Sequence, residues 1–260
     1  MTLAEGTVVP SSPHMERGLY IAASGMIAEQ VRQDQLANDL ANASTPGYKA
    51  DRSSQASFGQ LLVTNAVTGQ TVGTMATGVE IAKTQLDLSQ GPINQTGEPL
   101  DVALAGPGFF SVKTAHGTQY TRNGQFAVDS NGGLVTSTGD AVLDDKGQPL
   151  NVAGHAKDLQ IGADGTITAG GKTLGKLGIV SLANPAKIGD NYLTGTPGAA
   201  PATTSVEQGA LEGSDTNPAR VMVDMIVSLR AYESAQRVMH AIDETLSRGI
   251  DSAGAVGGGG

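Results

Sequence analysis

Helical period is confined to the two ends of this chain, and that confinement limits what it can fold into. Between residues 18 and 43, Leu19, Ala22, Met26, Leu36, Leu40 and Ala43 fall on spacings of three, four or their sums, interrupted by Glu29 and Gln33. Near the other end, Met222, Met225, Leu229, Tyr232, Gln236, Met239, Asp243 and Leu246 alternate spacings of three and four. That is the repeat of a coiled-coil seam, with Gln236 and Asp243 as polar gaps. Neither stripe is bulky enough to make a core alone. The simplest burial pairs the two with each other and with helices of neighbouring copies.

The ends of these helices are also marked. Asn217 followed by Pro218 is a capping residue followed by a proline at the first helical position. Ser44-Thr45-Pro46-Gly47-Tyr48 stops the first helix, because the residue before proline avoids the helical region and glycine tolerates a left-handed exit. Gly249 is the expected stop of the second.

Between the helices the composition changes. The chain has 36 glycines, no tryptophan and 3% aromatic residues, which favours a body of small and β-branched residues with many turns. "PLDVALAG" and "GFFSVKT" are strand-like, and "HG" at 116, "NG" at 123 and 131 and "DG" at 164 are hairpin-turn signals. The expected fold is α+β: N- and C-terminal helices paired as a coiled-coil-like stalk, and a central antiparallel β domain with extended connecting segments. The expected boundaries are a flexible leader over 1–14, terminal helices over 15–46 and 217–250, connecting regions over 47–98 and 186–216, a β domain over 99–185 and a loose tail over 251–260.

Several function classes are excluded by the residues. A formal charge of −9 with no basic cluster speaks against nucleic acid as a partner. Cysteine is absent, which removes disulfides, thiolate nucleophiles and cysteine-bound zinc. The histidines, His14, His116, His155 and His240, have no partner at metal-ligand spacing, and Asp144-Asp145 lacks the spaced oxygens of a calcium loop. No metal, cofactor or catalytic residue is expected; a hydrolase would need a convergent pair such as Asp101 with Asp129 or His116, which no spacing supports. "VMVDMIVSL" at 221–229 is too short, and carries Asp224, to insert in a membrane. A basic region followed by an apolar signal core is missing near residue 1, so export would use another route.

Two groups of residues keep two readings each. Asn38 and Asn42, four apart beside Leu36 and Leu40, either cap the helix end or hydrogen-bond across a subunit contact. The methionines at 222, 225 and 239 are either core filling or an adaptable contact surface.

"LYIAASGM" with "LANDLANASTPGYK", "PLDVALAGPGFF" with "YTRNGQF", and "LEGSDTNPARVMVDMI" with "RAYESAQRVM" occur in that order over residues 19–246. In these blocks the chain resembles the flagellar rod and hook family of bacterial axial proteins. The resemblance implies a structural subunit that polymerises helically through its terminal helices, as an inner coiled-coil tube, and transmits torque. It implies export by the flagellar type III apparatus without a cleaved signal, and an extracytoplasmic place in the basal body. The partners would be other copies and other rod or hook subunits. Leu19, Met26, Leu36, Asn38, Leu40, Asn42, Met222, Met225, Leu229, Tyr232, Met239 and Leu246 would form the assembly helices, and Thr45, Pro46, Gly47 and Tyr48 the turn leaving the tube. Within the family the β domain's size resembles rod proteins. "ANASTPGY", "PLDVAL", "YTRNG" and "LEGSDTNP" lean to the proximal type, while "GFFSV" and "RAYES" lean to the distal type. A reading of another class is a secreted oligomeric binding module, which an aromatic patch or groove on 99–185 would favour.

Overall fold

A computed structural model describes residues 13–52, 55–57, 60–64, 71–76, 79–81, 85–153, 158–189 and 191–257. Most of the expected leader, the last residues of the expected tail and His155 lie outside the described residues. In chain order the elements are α1 (Pro13–Ala41), β1 (Asp51–Arg52), β2 (Gln55–Ser57), β3 (Gln60–Thr64), β4 (Thr71–Ala76), β5 (Val79–Ile81), β6 (Gln85–Leu86), β7 (Ile93–Gln95), β8 (Val102–Ala105), β9 (Phe109–Thr114) and β10 (Gly117–Thr121). There follow β11 (Phe126–Val128), β12 (Leu134–Thr136), β13 (Ala141–Val142), β14 (Leu159–Ile161), β15 (Thr166–Ala169), β16 (Lys172–Lys176), β17 (Ile179–Gly189), β18 (Tyr192–Gly198), β19 (Ser205–Gln208), β20 (Ala210–Glu212) and α2 (Pro218–Gly257). The architecture is α+β, with terminal helices and antiparallel strands between them.

The chain divides into two compact units. One is drawn from Met1–Ala37, Ser53–Gln85 and Met222–Gly260, the other from Asn38–Arg52 and Leu86–Val221. In the first unit, β3 pairs with β4 and β2 with β5, both antiparallel, so the pairs nest as a ribbon. The two helices of this unit meet at identifiable points. Ser228 of α2 is fully buried, with its hydroxyl 2.6 Å from Glu29 Oε2 and 3.3 Å from the Glu29 carbonyl oxygen of α1. Farther along, Gly18 of α1 leaves room for Ile242, whose Cδ1 would stand 3.0 Å from a Cβ there. The order of these contacts makes α1 and α2 antiparallel.

The second unit is built around a ring of strands. β9 pairs with β10 along one edge, and on its other edge with β17 through Phe109 and Phe110 and with β13 through Val112 and Lys113. β17 and β18 form a hairpin, and Tyr120↔Leu193 returns β18 to β10, closing the ring. Because neighbouring strand residues point to opposite faces, the pair Phe109-Phe110 serves two cores. Phe110 is fully buried with Val102, Leu104, Val112, Leu134 and Ile167, and meets Phe126 edge to face at 5.2 Å between centroids. Phe109 packs with Tyr120 and Leu193 on the other side. Each such buried side chain contributes roughly 1.5–3 kcal/mol, so the scarcity of aromatics is offset by where these few are placed.

This unit is wider than the β domain expected over 99–185. β17 and β18 continue through Gly198, and the small-residue run after it supplies β19, which pairs with β8 from Ser205↔Ala105 to Gln208↔Val102. Next, β20 pairs with β7. A run of alanine, threonine and glycine reads as a linker because it lacks large apolar residues, yet strand pairing needs only backbone groups.

The helix ends show the same mixture of agreement and difference. Asn217 Oδ1 accepts the Arg220 amide at 3.1 Å, with Pro218 as the first helical residue, as the sequence predicts. However, α2 continues through Gly249 to Gly257. Gly249 lies inside the helix and is not among the glycines of positive φ, so it does not make the left-handed exit of a terminator.

Candidate functional site

The three sequence blocks that carry the resemblance converge on one buried ion cluster. Glu212, from "LEGSDTNP", accepts from Lys49 Nζ at 2.5 Å and the Gly91 amide at 2.9 Å on Oε1, and from Arg122 Nη1 at 2.9 Å on Oε2. Lys49 comes from "STPGYK" and Arg122 from "YTRNG". All three side chains are at most 3% exposed. Further donors are used by backbone groups: Lys49 Nζ donates to the Ser89 carbonyl at 2.6 Å and Arg122 Nη2 to the Gly106 carbonyl at 2.9 Å, while the buried Arg122 Nε has no hydrogen-bond partner. The Arg122 guanidinium also stands 5.1 Å from the centre of the Phe109 ring. In such a dry place the attraction is strong and removal of one partner strands the others.

The backbone around this cluster ties the exit of α1 to the start of α2. The Gly47 amide donates to the Glu212 carbonyl at 2.7 Å, the Asp215 amide to the Tyr48 carbonyl at 3.3 Å, and the Ala50 amide to Asp215 Oδ1 at 3.0 Å. Gly47 has φ of 67°, and a Cβ on it would come within 2.4 Å of the Arg122 backbone. Here glycine is required twice over, for the left-handed turn and for the close approach. Pro46 contributes its carbonyl, which accepts from Asn191 Nδ2 at 2.8 Å.

A second polar group surrounds Tyr48. Its hydroxyl lies 2.8 Å from both Asn38 Oδ1 and Asp39 Oδ1, and Lys187 Nζ stands 4.4 Å from the ring centre while pairing with Asp51 at 2.9 Å. Burial pushes the Asp39 carboxyl above its usual range, opposed by the Tyr48 hydrogen bond and Lys187. Burial and the neighbouring Asp39 likewise push the Tyr48 phenol upward, so it stays a donor. Burial raises Asp215 too, against the Ala50 amide. By contrast, the Ser89 amide and Arg52 hold Asp87 down at about 2.

The Asn38 and Asn42 amides are engaged within the chain. Asn38 accepts from Tyr48, Asn42 Nδ2 donates to the Asn38 carbonyl at 2.9 Å, and Asn42 Oδ1 accepts from Thr45 Oγ1 at 3.2 Å. Leu19, Met26, Leu36 and Leu40 of α1 are half-buried.

On α2 the inward stripe differs from the predicted seam at alternate positions. Met225, Tyr232, Met239 and Leu246 are half-buried. Met222 and Leu229, however, are 50% and 47% exposed, and Gln236 and Asp243 are exposed too. Their inward places are taken one residue earlier by Val221, Ser228, Ala235 and Ile242, so Gln236 and Asp243 are not gaps in the inward stripe, whose one polar member, Ser228, is hydrogen-bonded to Glu29. A seven-residue repeat fits two adjacent stripes equally well; side-chain size favours methionine and leucine, whereas close helix approach favours serine and alanine.

That shift leaves a large apolar surface uncovered. Met222, Val223, Ile226, Val227 and Leu229 are each about half exposed, between 47% and 59%, within two turns of α2. On α1, Tyr20 and Ile27 are 58% and 62% exposed. A contiguous exposed apolar patch of this kind is a surface suited to contact with another molecule. Among the described residues no group of three or more His, Asp or Glu is placed to hold a metal, and no helix is long and apolar enough to cross a membrane. Sequence reasoning passed over Lys49, Arg122 and Glu212; the available signal was that each lies within a block that carries the resemblance.

Comparison with known proteins matches three family descriptions in order along the chain. Residues 19–49 match "Flagella basal body rod protein", 103–169 "Flagellar hook protein FlgE/F/G D1 domain" and 207–252 "Flagellar basal body rod FlgEFG protein C-terminal". The flagellar basal-body rod protein FlgF of Caulobacter vibrioides is 32% identical over 252 residues, covering 93% of this chain and 100% of that protein. The flagellar basal-body rod protein FlgG of Bacillus subtilis is 33% identical over 259 residues, covering 89% and 97%. FlgG of Agrobacterium fabrum is 34% identical over 261 residues, covering 89% and 97%.

Proposed function

The chain belongs to the flagellar rod and hook family, as a structural basal-body rod subunit of the FlgF/FlgG type, and we propose that it polymerises helically through its terminal helices to carry torque. In this reading α1 and α2 form a coiled-coil-like stalk, residues 15–46 and 217–250 are the assembling part, and the β unit is a rigid body held at Lys49, Arg122 and Glu212. Its partners are further copies and other rod or hook subunits. It is non-enzymatic, is exported by the flagellar type III apparatus, and resides in the cell envelope. The proximal position is preferred over the distal one on the blocks "ANASTPGY", "PLDVAL", "YTRNG" and "LEGSDTNP"; labelling this subunit in isolated basal bodies tests the position.

The observation that carries this reading is the apolar surface at 222–229. One flank of α2 is covered by α1, and the others require neighbours. Leu229→Asp should abolish polymer formation by the purified protein and rod assembly in cells, since each neighbour would have to bury an unpaired charge at several kcal/mol. Rods of normal yield from that variant would refute the reading.

A further inference from the structure

The outward faces of α1 and α2 are complementary to each other in one particular register. On α1, Ala23, Ile27, Gln30, Asp34 and Ala37 follow at spacings of four and three, and all but Ala23 are exposed. On α2, Val227, Arg230, Ser234, Val238 and Ala241 follow at three and four, all exposed. Asp34 is the single charge among the five on α1, and Arg230 the single charge among the five on α2. Neither makes an ion pair among the described residues.

We infer that the outward face of α1 in one copy seats antiparallel on the outward face of α2 in a second copy, with Asp34 opposite Arg230. In that register Ala37 meets Val227, Gln30 meets Ser234, Ile27 meets Val238 and Ala23 meets Ala241. Apolar residues face apolar ones, the polar pair faces itself, and alanines stand where backbones approach closely. One helix pair cannot satisfy this register and its own contacts together: within a chain, Glu29 lies beside Ser228 and Gly18 beside Ile242. The second copy is therefore displaced along the helix axis by about four to seven residues, roughly 6–11 Å. Since different faces meet, the contact is head-to-tail and propagates instead of closing on a dimer. The inference rests on the polymerisation reading and names the surfaces and register it uses.

Two experiments test it on the full chain. In the first, the critical concentration for polymerisation is read by light scattering and sedimentation. Asp34→Arg and Arg230→Asp should each raise it about three- to ten-fold, and the double exchange should restore it. Single variants without effect, or a double exchange no better than the singles, overturn the register. In the second, Ala37→Cys and Val227→Cys proteins are mixed and oxidised, using the absence of native cysteine. A mixed disulfide dimer, absent when Ala37→Cys is oxidised alone, supports the contact. Failure to crosslink in a polymer of this chain, with crosslinking to another rod subunit instead, gives the face to that subunit and overturns the proposal. If the unaltered protein forms no polymer under any condition, the polymerisation reading falls and this inference with it; if it does polymerise while the register tests fail, this inference falls alone.

Discussion

The β unit and the terminal helices treat polar and apolar side chains in opposite ways. Around Glu212 the molecule buries three charges and pairs them with one another and with backbone groups, leaving only the Arg122 Nε of the cluster without a hydrogen-bond partner. Along α2 it exposes five large apolar side chains within two turns. The first region is closed inside one chain, whereas the second is left open to solvent and, on the proposed function, is covered by a neighbouring subunit. A subunit that must be rigid at one place and sociable at another can keep the two tasks apart in this way, because a fault in one need not disturb the other.

The strongest way to break that contrast is to remove the central carboxylate. Glu212→Ala leaves Lys49 and Arg122 buried without their anion and should destabilise the β unit by about 3–5 kcal/mol, measured by urea unfolding followed through β circular dichroism. A smaller change than about 1 kcal/mol would mean that the cluster is solvated and not a structural joint.

Gly47→Ala tests the same region through the backbone. It forces alanine into a left-handed turn with its methyl against the Arg122 backbone, and a loss of roughly 2 kcal/mol or more is expected in the same unfolding experiment. Unchanged stability would show that the exit turn moves freely.

Val227→Asp sharpens the other side of the comparison. At a residue 52% exposed, the substitution should shift unfolding of the unassembled protein by no more than about 0.5 kcal/mol while preventing polymerisation. If the monomer unfolds instead, the surface belongs to the chain's own core.

The smallest expected effect concerns pH. The Asp39 carboxyl is raised by burial, so this group favours the fold most below the unfolded value near 4 and loses that advantage as pH rises through its raised folded value. Asp39→Asn keeps an acceptor for Tyr48 without the buried charge. It should flatten that decline and raise stability at pH 7 by a few tenths of a kcal/mol, the effect being moderated by Lys187 and nearby solvent. A less stable variant at pH 7 would show that attraction to Lys187 outweighs burial.

Much of this design is legible along the chain because it is local. Helical period, the Asn217-Pro218 start, the Thr45-Pro46-Gly47 exit and the hairpin turns each depend on residues within a turn or two of one another. The extent of the β unit was less legible, since alanine and threonine runs such as 199–204 and the strand after them signal weakly, and their pairing with β8 is decided by a segment about a hundred residues away.

By itself, then, the sequence determined two terminal helices, a glycine-punctuated β body between them, and a family resemblance carried by blocks in fixed order. Tertiary structure alone decided which of two adjacent stripes on α2 turns inward, because both fit the seven-residue repeat and only contact with α1 distinguishes Ser228 from Leu229. It alone also brought Lys49, Arg122 and Glu212 together, since a buried charge is tolerable only where distant parts of the chain deliver its counter-charges to the same few ångströms.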